Sequence, residues 1–354
     1  MKILLFCENK YAIDILNPIQ EYVTDNHLPH EVLWYIHEKK IDAFAYADKV
    51  RWTKSIQEAY DFSPEAIFVP GNIVPYYLPG VKIQVFHGYA AEKKDHWIIR
   101  RYFDIYFTQG PYFTSHFKAL AQKYGDFEVV ETGWPKQDWI KKNLHRYDDE
   151  KQALLEKSGK QTIILYAPTF SPKLTSLPLP DMKEQLERLA HERNALILMK
   201  FHPLTRQEWA DEYKAWAENH DDIIYIDKGE NVTKYQLMSD VLISDTSSTI
   251  YEFLLLSRPV ITIGTLSKEI YWEDIDTPET LLRAYDHALT DPEAIARRQW
   301  IVDNYDPYLD GHVCERMLNA AADYIRRHGV PAKRHLNLWR KYTSIKTFGK
   351  VRKR

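Results

Sequence analysis

Six consecutive small polar residues, Ser244-Asp245-Thr246-Ser247-Ser248-Thr249, stand between an apolar run and a stretch with helical spacing. Side chains of this kind at a helix start satisfy N–H groups that have no partner within the helix. The same N–H groups, with the helix dipole behind them, can receive a phosphate. A cap needs one such residue, so six in a row point to a phosphate or diphosphate ligand. A well-made N-cap is the competing explanation. Glu252, one turn later, either accepts from a ribose or glycerol hydroxyl or is a solvated helix residue.

Two histidines also follow apolar runs. In Lys200-Phe201-His202-Pro203 the proline fixes a turn and keeps His202 outside the strand. An imidazole there can donate to a phosphate oxygen or move a proton, with Lys200 beside it, or it can be structural. In Phe86-His87-Gly88-Tyr89, Gly88 permits a tight turn and close backbone approach. Lys93, Lys94 and His96 make the neighbourhood basic, which suits an anionic substrate; a surface-loop histidine is the alternative. Gly133-Trp134-Pro135-Lys136 and Ala167-Pro168-Thr169-Phe170 follow strands too. Each either shapes a cleft or is a simple turn.

The elements that position these residues can be read from the pattern. Short apolar runs at Lys2–Cys7, Glu31–Ile36, Ala66–Val69, Val81–Phe86, Asp104–Thr108 and Phe127–Glu131 predict buried parallel strands. Helical stretches such as Tyr11–Thr24 lie between most of them. The polar stretch Lys141–Lys160 predicts a helix leading into a boundary. The pattern then restarts with strands at Thr162–Tyr166, Ala195–Lys200, Ile223–Ile226, Asp240–Ser244 and Pro259–Ile263. Helices are expected at Asp181–Arg193, Val232–Met238 and Thr249–Leu256. Strand, turn and helix in alternation means two doubly wound α/β domains. Such domains bind ligands beyond the carboxyl ends of their strands, which places His87 opposite His202 across a central cleft.

Composition narrows the function classes. The 354 residues favour two domains; 45% hydrophobic and 27% charged residues exclude a disordered or fibrous chain. Cys7 and Cys314 are too few for a disulfide framework or a four-cysteine zinc site, and point to a reducing compartment. Tyr324–Arg354 holds 11 Lys and Arg and no acid, while the preceding chain has 36 basic against 50 acidic residues. An acidic body without a base-reading module makes nucleic acid a poor partner. The basic tail, interleaved with Leu336, Leu338, Trp339, Tyr342, Ile345 and Phe348, suits an anionic membrane surface; a solvated, disordered tail is the alternative. No signal peptide or membrane span is visible, so the expected location is cytoplasmic, peripheral on the inner face of the membrane. There is no Walker loop, G-x-G-x-x-G, G-x-S-x-G or H-E-x-x-H run. No acidic metal cluster is evident, so neither an obligatory metal nor a cofactor is expected.

In order along the chain, Phe86-His87-Gly88, Thr132-Gly133-Trp134-Pro135, Tyr166-Ala167-Pro168-Thr169, Phe201-His202-Pro203 and the run Ser239–Pro259 resemble the CDP-glycerol glycerophosphotransferases of teichoic acid synthesis. Asp310-Gly311 and Arg316 look like the closing motif of that family. The resemblance implies a GT-B fold, with two Rossmann-like domains facing a central cleft. An acceptor-side domain is expected over 1–150, a nucleotide-donor domain over 151–323 and the basic tail over 324–354. It further implies His87 and His202 at the transferred phosphate, Ser247 and Ser248 on the donor diphosphate, and a lipid-linked or glycan acceptor. The chain departs from the family at Thr246, Glu252 and Lys136, where an aromatic residue, Asp and Arg are usual. It also lacks an Arg-Gly-aromatic segment after Ile263. These departures leave the donor open between CDP-glycerol, CDP-ribitol and a nucleotide sugar.

The expected reaction is attack of an acceptor hydroxyl on the β-phosphorus of CDP-glycerol, with CMP leaving. His87 is the expected base or positioning residue for the attacking hydroxyl and His202 the group that stabilises or protonates the bridging oxygen; Gly88, Gly133, Lys136, Thr169 and Lys200 support the cleft. The alternatives are a GT-B glycosyltransferase using a nucleotide sugar in lipopolysaccharide or capsule synthesis, and a non-catalytic nucleotide-binding protein.

Overall fold

The computed structural model describes residues 1–37, 39–41, 43–89, 91, 94–169, 181–331 and 336–352. The chain divides into two compact units, Met1–Lys142 with Tyr305–Arg354, and Asn143–Asn304. This differs from the expected 1–150, 151–323 and 324–354. The chain returns to the first unit at Tyr305, so the last fifty residues are neither part of the second domain nor a separate tail.

Among the described residues, the first unit holds strands β1 (Lys2–Cys7), β2 (Glu31–Ile36), β3 (Trp52–Thr53), β4 (Ala66–Val69), β5 (Val81–Gln84), β6 (Ile105–Thr108) and β7 (Glu128–Glu131). They form one parallel sheet in the order β3-β2-β1-β4-β5-β6-β7. Ile3 to Cys7 are inaccessible to solvent because helices cover both faces, which is why β1 reads as an unbroken apolar run. Its partners run in register, Leu4 opposite Leu33 on one side and Ile67 on the other. Strand order reverses between β1 and β4, and a doubly wound sheet opens its ligand crevice at that point.

The second unit repeats the plan with β8 (Thr162–Tyr166), β9 (Ala195–Lys200), β10 (Ile223–Ile226), β11 (Val241–Ser244), β12 (Val260–Ile263) and β13 (Glu273–Ile275). The order is β10-β9-β8-β11-β12-β13, so its reversal lies between β8 and β11. β8, β9 and β10 match the expected bounds. β5 stops two residues early because Phe86 has φ +59°, which no extended strand can accommodate. The expected helix over Lys141–Lys160 is two helices, Lys136–Asn143 and Asp148–Ser158, and the unit boundary falls at the end of the first, between Lys142 and Asn143.

The basic terminal segment is largely ordered helix. Helix Val313–His328 ends at Gly329, and a second helix spans Leu338–Phe348. Asn337 caps the second by accepting from the Arg340 N–H at 2.9 Å. Phe348 is buried against Phe6 at 5.2 Å, and Ser344 Oγ accepts from the Tyr76 N–H. Residues 332–335 and 353–354 of this segment, with Lys93 and Phe170, lie outside the described residues. No described helix is long and apolar enough to cross a membrane.

Candidate active site

In the second unit the polar run is split by burial. Ser244 and Asp245 are buried, whereas Thr246, Ser247 and Thr249 are half-buried and Ser248 is exposed. Ser244 Oγ donates to Ala167 O at 2.7 Å. Asp245 accepts from the Thr169 N–H at 3.0 and 3.1 Å, from the Thr169 hydroxyl at 2.7 Å and from the Thr246 N–H at 2.6 Å. Burial raises its pKa against the pull of these donors. These two residues lock the loop after β11 to the loop after β8, across the strand-order reversal. Thr246 Oγ1 accepts from the Leu266 N–H at 3.0 Å, and Ser247 and Thr249 share a hydroxyl–hydroxyl hydrogen bond. The following helix, Thr249–Leu254, has only six residues, so its dipole is small. The loop's hydroxyls and local N–H groups are of the kind that bind an anion. Glu252 is half-buried one turn into the helix.

His202 follows β9 and is exposed. The Leu204 N–H donates to its Nδ1 at 3.1 Å. An Nδ1 that accepts leaves the ring proton on Nε2, so the outer nitrogen is a donor. Burial first, then the charge of Lys200, lowers its pKa and favours this neutral form. The Lys200 ammonium is turned inward, donating to the carbonyls of Phe201 at 3.1 Å and Lys228 at 2.8 Å. Its observed contacts stabilise the turn that presents His202.

In the first unit His87 lies beyond β5 and is also exposed. Its Nδ1 lies 3.2 Å from Pro70 O, which can only accept. The proton therefore sits on Nδ1, and a neutral His87 offers the lone pair of Nε2 as a base. The turn is strained in a specific way. Phe86 holds φ +59° at a cost of about 1–2 kcal/mol for a residue with a Cβ. Its ring is locked between His96 and Phe117, each at 5.0 Å, and this packing stabilises the strained backbone. His96 thus belongs to an aromatic cluster instead of extending a basic face. Gly88 has φ +148°, and a Cβ there would meet nothing within 4 Å. Gln109 Nε2 donates to its carbonyl at 2.9 Å.

A buried network ties this turn to the next motif. Tyr89 OH donates to Asp306 at 2.7 Å, Gln137 Nε2 donates to Tyr89 OH at 3.0 Å, and the Trp134 N–H donates to Asp306 at 3.0 Å. Gly133, at φ +88°, passes so close to Tyr308 and Val313 that an added Cβ would lie 2.9 Å from each. Its task is packing. Lys136 is half-buried at the start of its helix, with Nζ 5.9 Å from the Trp134 ring centroid. Arg316 donates to Thr132 O and pairs with Asp310, so the closing motif braces the Thr132-Gly133 turn. Sequence reasoning passed over Asp306 and Glu8; both are single acidic residues without a motif of their own. Among the described residues, no group of three or more His, Cys, Asp or Glu is arranged to hold a metal ion.

The family model for CDP-Glycerol:Poly(glycerophosphate) glycerophosphotransferase matches residues 79–322, more than half of the chain. The chain belongs to that family. It is 27% identical to the teichoic acid ribitol-phosphate polymerase TarK of Staphylococcus aureus (strain NCTC 8325 / PS 47), with 55% of this chain and 39% of TarK covered. It is 23% identical to the teichoic acid poly(glycerol phosphate) polymerase of Bacillus spizizenii (strain ATCC 23059 / NRRL B-14472 / W23), with 69% and 68% covered. Among solved structures, the wall teichoic acid polymerase TagF superposes with a TM-score of 0.64 at 18% identity, covering 92% of this chain and 89% of that one. This likeness establishes the GT-B fold type. The chain spans only 36–54% of the length of TarK and two further teichoic acid enzymes that it matches.

Proposed function

We propose that the chain transfers glycerol phosphate from CDP-glycerol to a hydroxyl of a membrane-associated glycan or lipid-linked acceptor. The acceptor oxygen attacks the β-phosphorus, the bond from that phosphorus to the bridging oxygen breaks, and CMP leaves with the electron pair. His87 Nε2 takes the hydroxyl proton. His202 Nε2–H donates to the bridging oxygen as charge develops there. Ser247, Ser248 and Thr249 bind the diphosphate, with Thr246 and Glu252 beside it. The observation that carries this reading is the opposite polarity of the two imidazoles. His87 Nδ1 donates to Pro70 O and His202 Nδ1 accepts from Leu204, so Nε2 of one exposed histidine is a base and Nε2 of the other a donor. That pair of roles suits in-line transfer to phosphorus, where a base takes the incoming proton and a donor stabilises the leaving oxygen.

The acceptor side of the proposal places the protein at the inner face of the cell membrane. Helix Leu338–Phe348 supports it: Leu338, Trp339 and Tyr342 are 83%, 72% and 54% exposed beside Arg340, Lys341 and Lys346. Aromatic and cationic side chains together suit an anionic lipid surface.

The test is thermal-shift binding against CDP-glycerol, CDP-ribitol, UDP-sugars and GDP-sugars, followed by product analysis with membrane acceptor. A selective rise in melting temperature with CDP-glycerol and a phosphodiester product are expected. A shift confined to sugar nucleotides, with a glycosidic product, overturns the reading.

A further inference from the structure

The strand-order reversal of the first sheet carries a group that the transfer described above does not use. Glu8 follows β1 directly and is only 6% exposed. Its carboxyl lies across Gly71, the second residue beyond β4, so closely that a Cβ on Gly71 would stand 1.5 Å from Oε1. Asn9 Nδ2 donates to Oε1 at 3.5 Å and to Tyr11 OH at 3.0 Å. Burial pushes the carboxyl up to about 7, against the pull of the Lys40 ammonium and the nearby Asn72 N–H and Tyr11 hydroxyl. A desolvated carboxyl is expensive to retain for packing alone, and at a switch point it has a functional address.

Both of its partners lead to His87. The Glu8 carboxyl packs against Gly71 in the Pro70-Gly71-Asn72 turn, and the same turn presents Pro70 O to His87 Nδ1 at 3.2 Å. Tyr11, linked to Glu8 through Asn9, has its ring centroid 5.4 Å from that of the imidazole. Glu8 therefore controls the carbonyl that sets the tautomer of His87 and the ring that limits its rotation.

We propose that Glu8 is a positioning residue for His87, acting through the Pro70–Asn72 turn and the Tyr11 ring. The inference rests on the reading of His87 as the acceptor-side base. Gly71 fits it, because any side chain there would expel the carboxyl.

A double-mutant cycle on the full chain tests it, with kcat and KM measured for CDP-glycerol. Glu8→Ala is expected to lower kcat roughly 10- to 100-fold with KM for the donor nearly unchanged, because misplacing a base costs rate and not donor binding. In a His87→Ala background the same change is expected to cost less than about 2-fold, because the residue through which it acts is gone. A merely structural Glu8 would produce the same loss in both backgrounds, and that result overturns the proposal. Tyr11→Phe, at a largely exposed position, keeps the test open if Glu8→Ala does not fold. It should lower kcat in the wild-type background and not in His87→Ala, and equal effects in both count against the idea. If His87→Ala alone retains full turnover, the reading of His87 fails and Glu8 falls with it. If His87→Ala is inactive while Glu8→Ala and Tyr11→Phe are fully active, only the Glu8 proposal fails.

Discussion

Asp245 and Thr169 lie 76 positions apart in sequence, yet both the N–H and the hydroxyl of Thr169 donate to the Asp245 carboxylate. This contact joins the two loops flanking the strand-order reversal of the second sheet. It also assigns different tasks to neighbours in one polar run. Asp245 faces inward and makes the loop, while Ser247 to Thr249 face outward and can meet a ligand.

That division predicts a separation of stability from binding. An amide in place of Asp245 brings an N–H toward buried donors and leaves at least one of them unpaired. Asp245→Asn should destabilise the second unit by about 1–3 kcal/mol in urea unfolding. Ser248→Ala should leave the unfolding midpoint unchanged and weaken the CDP-glycerol thermal shift. Equal stability losses from the two would show that the run is a structural cap.

The opposed tautomers predict an asymmetry between the histidines. Glutamine reproduces an Nε–H donor and cannot serve as a base. His202→Gln should therefore retain at least about 10-fold more turnover than His202→Ala, whereas His87→Gln should be as impaired as His87→Ala, roughly 100-fold or more. Steady-state transfer assays decide it, and rescue by glutamine at position 87 would reverse the assigned roles. The depressed pKa of His202 keeps it neutral as pH falls below the usual histidine range.

Asp306 makes stability depend on pH in an unusual direction. Its carboxyl is buried and pushed up to about 8. Below about pH 4 it is protonated in both folded and unfolded chains, and its contribution is fully present. Between about pH 4 and 8 the unfolded chain releases the proton while the folded chain keeps it, so stability is lost as pH rises. Asp306→Asn has no such titration. Wild type should lose roughly 1 kcal/mol or more relative to the variant between pH 5 and 8 in chemical unfolding. A constant difference across that range refutes the assignment.

The terminal helix should show two separable faces. Phe348 is buried against Phe6, so Phe348→Ala should cost about 3–5 kcal/mol of stability in the first unit. Trp339 is exposed, so Trp339→Ala should leave unfolding unchanged and reduce sedimentation with anionic vesicles several-fold. Vesicle binding that is absent in wild type, or unaffected by Trp339→Ala, removes this helix as the lipid contact.

Both sheets were legible from sequence because parallel strands covered on both faces must be continuous apolar runs ended by turns. That reasoning located β1, β2, β4 and β8 to β10 at their observed bounds. It was silent on β3, two residues long, and β13, Glu273–Ile275, because an edge strand so short or polar carries no such run. The same logic marked His87, His202 and Asp245–Thr249 as lying beyond strand ends, and their motifs carried the family.

What sequence alone determined, then, was the set of local segments and the polar residues that follow them, since periodicity and turn chemistry act over a few residues. Tertiary structure decided the hydrogen-bond role of each histidine's Nδ1, which half of the polar run is internal, and where Glu8 and Asp306 find their partners. Tyr89 and Asp306 are 217 positions apart and Thr169 and Asp245 are 76 apart. No local pattern encodes such pairs. They are set when the sheets close, the chain returns at Tyr305, and each buried polar group must find a partner in place of water.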